Sequence, residues 1–310
     1  MNMLVLGGNG FIGSHVVDVL CVGGHEVRVF DRSPDPWRAP LAGVRYYLGD
    51  FDDRPLLAEA LQGVDVVVHL ISTTVPSTSN LDPVADIESN LVRSVRLLEL
   101  MGGAGVRRIV YFSSGGTVYG VPDAIPIRED QALNPICSYG VVKVATEKYL
   151  LMFERLYGLQ PLILRPSNPY GPRQGHVGVQ GVVATFLNKV MAGEKITIWG
   201  DGNVKRDYLE VTDLARLCHL GIEAGATGVF NVGSGAGLSI TELVKAVEKV
   251  TDIKAVTEYL PARQFDVPEI VLDVAKAQGT FGWRPMVRFD EGLQRYLGWL
   301  QSQKKSVFGS

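Results

Sequence analysis

The chain has 310 residues, enough for one large domain or a medium domain with a smaller lobe. Hydrophobic residues make up 46% and charged residues 20%, an ordinary globular balance, and a formal net charge of −3 argues against a nucleic-acid surface or a polybasic membrane patch. No apolar run reaches the ~20 residues of a membrane-spanning helix. The opening MNMLVLGGNG lacks the basic start and cleavage site of a signal peptide and reads as a first strand. Cys21, Cys137 and Cys218 have no paired spacing, which fits reduced thiols and a cytoplasmic protein.

In chain order, the pattern predicts a strand over 3–7, a helix over 11–24 ending at glycines, and strands over 26–30 and 44–50. A short helix over 53–63, a strand over 64–71 and a long helix over 82–105 follow, then a strand over 107–114, a helix over 139–158 and a strand over 160–167. Near-continuous Val, Ile and Leu in these strands suits burial on both faces. Strand–helix alternation predicts an α/β fold with a Rossmann-type, doubly wound parallel sheet. After about 170 the pattern loosens. Helices near 178–192, 212–224, 239–250 and 289–302 lie among short strands and loops, with a strand or two expected to return to the main sheet. The expected division is a dinucleotide-binding domain over 1–170, a smaller α/β lobe over 171–303 behind a soft boundary, and a tail over 304–310.

Two motifs carry chemistry. In GGNGFIGSH, Gly7, Gly10 and Gly13 stand between a strand and a helix. There they permit the tight turn, the close approach of a pyrophosphate and close helix–strand packing, while the helix N-terminus offers N–H groups. Asp31 ends the second strand, where a carboxylate accepts from a ribose 2′-hydroxyl and repels a 2′-phosphate, so NAD is favoured over NADP. Arg32 either lies over the adenine or is solvated; Asp50 either accepts from the adenine amino group or is an exposed turn acid. The second motif is SYGVVK, in which Tyr139 and Lys143 lie four apart on one helix face. A nearby ammonium together with a cationic nicotinamide would lower the tyrosine pKa and make the phenolate usable as a base.

Together with RPSNPYGPRQ, WGDGNVKRDYLEVTDLA and RQFDVPEIVLDVAKA, these motifs resemble the extended short-chain dehydrogenase/reductase family, and within it the NAD-dependent nucleotide-sugar epimerases and dehydratases. The resemblance covers nearly the whole chain. It implies a cofactor site that also takes in Phe11, Ile12, Phe51, Leu70, Ile71, Ser72, Ser113 and Pro166, with Lys143 bonding the nicotinamide ribose. It implies a sugar site with Thr74 and Asn168, with Arg206 and Arg263 on the two phosphates, and with Ile270 where the family gates an N-acetyl group. It implies a UDP-hexose 4-epimerase working through a transient 4-keto sugar, Tyr139 being the base. It also implies a homodimer formed through the two long helices. ISTTVPSTSN is either the pocket-lining loop of the family or simply a polar loop.

The loop SSGGTVYG departs from the family pattern. A Ser or Thr usually stands three residues before the VYG valine, and here that residue is Gly115. Ser114 or Thr117 reaches the substrate oxygen instead, or the glycines make room for a bulkier sugar, or catalysis is lost and binding kept. The first reading is favoured because Tyr139 and Lys143 are intact. A dehydratase needs an acid–base pair near this loop, and SSGGT has no acid; a decarboxylase, a reductase and a non-catalytic NAD-binding protein are the remaining rivals. His69 reads as structural, Asn90 either sits behind the tyrosine or is a tolerated polar residue, and the five histidines show no metal-ligand spacing, so no metal is expected.

Overall fold

Each apolar run of the first half becomes a strand of one sheet. The computed structural model describes residues 1–175, 181–262 and 267–308, with side chains as far as 303. Strands β1 (Asn2–Leu6), β2 (Glu26–Asp31), β3 (Arg45–Leu48), β4 (Val66–His69), β5 (Arg108–Phe112) and β6 (Gln160–Pro166) alternate with α1 (Phe11–Val22), α2 (Arg54–Ala60), α3 (Pro83–Asp86), α4 (Arg93–Gly103) and α5 (Ser138–Tyr157). Beyond them come β7 (Asn168–Tyr170), α6 (Val182–Ala192), β8 (Ile196–Trp199), β9 (Lys205–Glu210), α7 (Val211–Glu223) and β10 (Gly228–Val232). The chain closes with β11 (Gly237–Ser239), α8 (Ile240–Thr251), β12 (Thr257–Leu260), β13 (Glu269–Ile270), α9 (Ala275–Phe281) and α10 (Phe289–Phe308).

The seven-stranded sheet has the order β10-β6-β5-β4-β1-β2-β3 with parallel neighbours throughout. Chain order reverses between β1 and β4, and in doubly wound sheets the crevice beyond that switch point is where ligands bind. Alternation along β1 explains its continuous apolar run. Met3 and Val5 enter the cluster holding Leu214 and Leu217 of α7, while Leu4 and Leu6 enter the cluster holding Leu97 of α4 and Leu150 of α5. At the end of α5, Gly158 adopts φ 67° and its N–H donates to the Glu154 carbonyl.

The expected helix over 82–105 is interrupted. Residues Ile87–Val92 form a π turn between α3 and α4. Asn90 there is buried; its Oδ1 accepts from the Thr73 N–H at 2.9 Å and its amide donates to Asp86 Oδ1 at 2.8 Å. The widened turn thus serves the loop beside the crevice, a common placement for π turns.

In the C-terminal part, β11-β9-β13 with β7 on β9 form a second sheet, and β12 pairs with β8. Helices α6, α8 and α10 close over a third apolar cluster. β10 returns to the main sheet and α7 packs on α1. His15 Nε2 lies 2.9 Å from the Pro172 carbonyl and Arg173 pairs with Asp18 at 2.6 Å, tying α1 to the lobe.

Candidate active site

The crevice at the strand C-termini opens into a cavity of about 760 Å³. One arm is the glycine turn after β1. A Cβ on Gly13 would run into the Gly7 carbonyl, so only glycine lets α1 start this close to β1. Gly10 caps α1 without any side-chain hydrogen bond, leaving the first N–H groups of the helix for a ligand. Gly7, Gly10, Phe11, Ile12, Gly13, Leu70 and Ser72 line this arm. The Asp31 carboxylate, at the end of β2, does not itself line the cavity; it accepts from the N–H of Asn9, in the glycine turn, at 3.0 Å. Burial raises its pKa, and the hydrogen bonds from Asn9 and Ser33 oppose that. Arg32 is exposed. Asp50 is exposed and pairs with Arg93 at 2.8 Å, Phe51 is buried against the His69 ring, and Ile71 packs into the core cluster; these three do not line the cavity.

At the centre, α5 brings Tyr139 and Lys143 to the loop after β5. Lys143 Nζ donates to the Phe112 carbonyl at 2.8 Å and lies 5.4 Å from the Tyr139 ring centre. Burial lowers the lysine to about 8, with Glu147 and Asp86 pulling the other way. Burial pushes the Tyr139 hydroxyl up to about 12; Cys137 and Asp86 push the same way, and hydrogen bonds with Ser72 and Ser114 oppose them. Ser114 and Thr117 both line the cavity, and the Thr117 hydroxyl is buried without a protein partner. Ser113 also lines it, but its hydroxyl donates to Glu147.

The two glycines of the loop do different things. A Cβ on Gly115 would lie 2.6 Å from Leu272 Cδ1 and 2.9 Å from the Arg165 carbonyl oxygen, whereas one on Gly116 would meet nothing nearer than Asn168 Oδ1 at 4.0 Å. Gly115 is therefore a packing glycine, and Gly116 leaves space in the cavity.

Behind the loop lies a buried polar network that sequence reasoning missed. Arg165 of β6 grips Glu147 of α5 at 3.0 and 2.6 Å and donates to the Tyr119 hydroxyl at 2.8 Å, which donates to Asn231 at 2.7 Å. It joins α5, β6, β10 and the 113–120 loop. Asp86 was missed too. It is fully buried and accepts from Thr74 at 2.6 Å, Asn90 at 2.8 Å and Ser138 at 2.7 Å, which fixes the start of α5 against the 71–80 loop. His69, held at 2.9 Å from Ser94, is driven down to about 3 by burial and by Lys143, and so is a neutral structural side chain.

The other arm is lined by Thr74, Pro166, Asn168 and Arg206, and also by Phe186, Trp199 and Tyr208, which periodicity alone would place in a core. The Asn168 amide donates to the Asp207 carbonyl at 2.9 Å, and Arg206 donates to the Val267 carbonyl at 2.8 Å. Ile270 is 1% exposed beside Tyr119 and Leu272 and does not line the cavity, so a gating role rests on the resemblance alone. Arg263 lies outside the described residues. Among the described residues that line the cavity, none is Asp, Glu, His or Cys.

Comparison with known proteins agrees with this geometry. The sequence profile of the NAD dependent epimerase/dehydratase family matches residues 3–233. A UDP-glucose 4-epimerase of Mycolicibacterium smegmatis is 37% identical, across 98% of this chain and all of that protein. The crystal structure of a UDP-glucose 4-epimerase from Thermotoga maritima with UDP-glucose superposes with a TM-score of 0.92 at 36% identity, covering 98% of this chain and 100% of that one. The Thermus thermophilus UDP-glucose 4-epimerase complexed with NAD gives 0.90 at 34% identity, covering 97% and 99%.

Proposed function

The chain belongs to the NAD dependent epimerase/dehydratase family, and from that premise we propose that it is an NAD-dependent UDP-hexose 4-epimerase working through a transient 4-keto sugar. The observation that carries the reading is the composition of the cavity wall. Tyr139 and Lys143 stand where the two arms meet, and no carboxylate or imidazole lines the described wall. Elimination of water needs an acid–base pair beside the sugar. Epimerisation at one carbon needs a single group that takes a proton from an oxygen and gives it back.

The residues then have distinct tasks. The first turn of α1 holds the cofactor pyrophosphate through backbone N–H groups, and Asp31 accepts from the adenosine ribose. Lys143 bonds the nicotinamide ribose and places positive charge beside the phenol. Tyr139 takes the proton from the sugar 4-hydroxyl and returns it to the 4-keto oxygen after the sugar has turned over. Ser114 and Thr117 bond that same oxygen. Asn168 and Arg206 hold the diphosphate, a role suited to a guanidinium. NAD, when bound, supplies the hydride acceptor and gives the same hydride back, so no net redox occurs.

Two finer readings accompany this one. Apolar side chains of α5, including Met152 and Leu156, and Ile87 of the π turn are exposed in the single chain, which supports a homodimer through a four-helix bundle. Three free cysteines suit a reducing cytoplasm. No helix among the described residues is long and apolar enough to cross a membrane.

The test is a proton NMR time course with UDP-glucose, UDP-galactose, UDP-N-acetylglucosamine and UDP-glucuronate and no added cofactor. Interconversion of 4-epimers is expected, and loss of water or carbon dioxide would move the chain to the rival chemistries. Tyr139→Phe is expected to keep NAD and lose about 10²–10⁴-fold in kcat. Near-full turnover by that variant would remove Tyr139 as the base.

A further inference from the structure

At the opposite end of the sheet from the cavity, the turn between α1 and β2 meets the last turn of α7. His25 comes from the turn, and His219 and Glu223, four apart, from one face of α7. One ligand atom from each lies within 4.8 Å of the others. His25 Nε2 is 3.2 Å from Glu223 Oε1, and the two imidazoles sit 5.4 Å apart between ring centres. The His25 side chain is only 7% exposed, and the Nε2 atoms of both histidines are buried without a hydrogen-bond partner. Both converge on the same point, since a Cβ on Gly23 would lie 2.6 Å from His219 Nε2 and 3.3 Å from His25 Nε2. His219 Nε2 has no hydrogen-bond partner and His25 Nε2 has only the Glu223 carboxylate at 3.2 Å, without hydrogen-bond geometry, so an ion between the three would satisfy both nitrogens.

We propose that His25, His219 and Glu223 bind a divalent transition-metal ion of the Zn²⁺ type, pinning the start of β2 to α7. Two neutral imidazoles and a carboxylate form a borderline donor set of the kind Zn²⁺ favours, and a water completes four-coordination. Tetrahedral bonds of about 2.1 Å put ligand atoms about 3.4 Å apart, against the 4.8 Å within which these three already lie. The histidines stand far apart in sequence, which is why their spacing shows no metal signal. The ion would touch no group of the cavity, so its effect is on stability and not on turnover.

The experiment uses the whole chain stripped with a chelator. Zn²⁺ is titrated calorimetrically and Co²⁺ by visible absorption, and melts are recorded with and without Zn²⁺. One equivalent of Zn²⁺ is expected to bind at micromolar concentration, Co²⁺ to give intense tetrahedral bands, and the melting temperature to rise by about 4 °C at hundredfold excess over Kd. His219→Gln and, separately, His25→Gln are each expected to abolish all three signals while the metal-free variants melt near the parent. No saturable binding, or binding unchanged in both variants, would overturn the site and leave an ordinary His25–Glu223 pair.

Discussion

Placing a serine at residue 115 separates two accounts of the loop. If the loop has merely lost a catalytic hydroxyl, Gly115→Ser restores it and raises turnover. The packing argues the reverse. The new Cβ meets Leu272 Cδ1 at 2.6 Å and the Arg165 carbonyl at 2.9 Å. The leucine tip can rotate, but the carbonyl belongs to β6, and the Gly115 N–H is tied to the next carbonyl, that of Pro166, at 2.8 Å. Overpacking of this kind costs about 1–3 kcal/mol. Gly115 is not among the positive-φ glycines, so replacing it also recovers about 0.4–1 kcal/mol by restricting the unfolded chain. The steric cost wins by about 1–2 kcal/mol, a fall of roughly 1.5–3 °C in melting temperature for a chain of this size. Any relief by loop movement displaces Ser114 and Thr117, so kcat falls as well. Gly116→Ser is the control, since its Cβ meets only Asn168 Oδ1 at 4.0 Å; it is expected to keep stability and raise KM by filling the cavity. Thermal melts and steady-state kinetics with the active UDP-sugar decide the matter. A Gly115→Ser protein that melts at or above the parent and turns over faster would refute the packing argument.

Burial holds Lys143 at about 8 against an ordinary 10.5, so between those values the unfolded chain binds more protons on this residue and stability rises with pH, by roughly 3 kcal/mol over the full window. Urea midpoints at pH 7.5, 8.5 and 9.5 without cofactor, taken as the difference between the parent and Lys143→Met, isolate this rise from the thiols; a flat difference would show the lysine to be well solvated. Glu147→Gln strands the buried Arg165 guanidinium and is expected to cost about 3–5 kcal/mol, most of it recovered when both residues become methionine. A single-variant loss below about 1 kcal/mol in urea unfolding would contradict that. Asp31→Asn removes a charged acceptor for the ribose and is expected to weaken NAD about tenfold and narrow the preference over NADP, measured by calorimetry.

What could be read from the sequence was local. The first strands, the glycine turn and the Tyr139–Lys143 face are encoded within a few residues of one another, so period and spacing revealed them. The network of Arg165, Glu147, Tyr119 and Asn231 could not be read, because its members come from four segments and each taken alone resembles an ordinary helix or strand residue. The π turn over 87–92 has no breaker in the sequence; it is imposed by what Asn90 reaches. Gly115 was visible as a departure, but its cause, Leu272, lies on a segment that only the fold brings near. The pairing of His25 with His219 was invisible for the same reason.

The charge states in the cavity bear on how the site is switched on. Left to itself the chain holds both central groups toward their neutral forms, since burial raises the Tyr139 phenol to about 12 and draws Lys143 down to about 8. At neutral pH a phenol of that pKa is ionised in only about one molecule in 10⁵. Lys143 stays mostly protonated there. The hydrogen bonds from Ser72 and Ser114 already pull the phenol down to that value. On the proposed reading, positive charge arrives with what fills the arm whose lining includes Ser72 and which ends beside Tyr139. On the proposed reading, in which Tyr139 is the base, it becomes competent only when that arm is occupied, and proton removal from the sugar then does not run ahead of the acceptor it depends on.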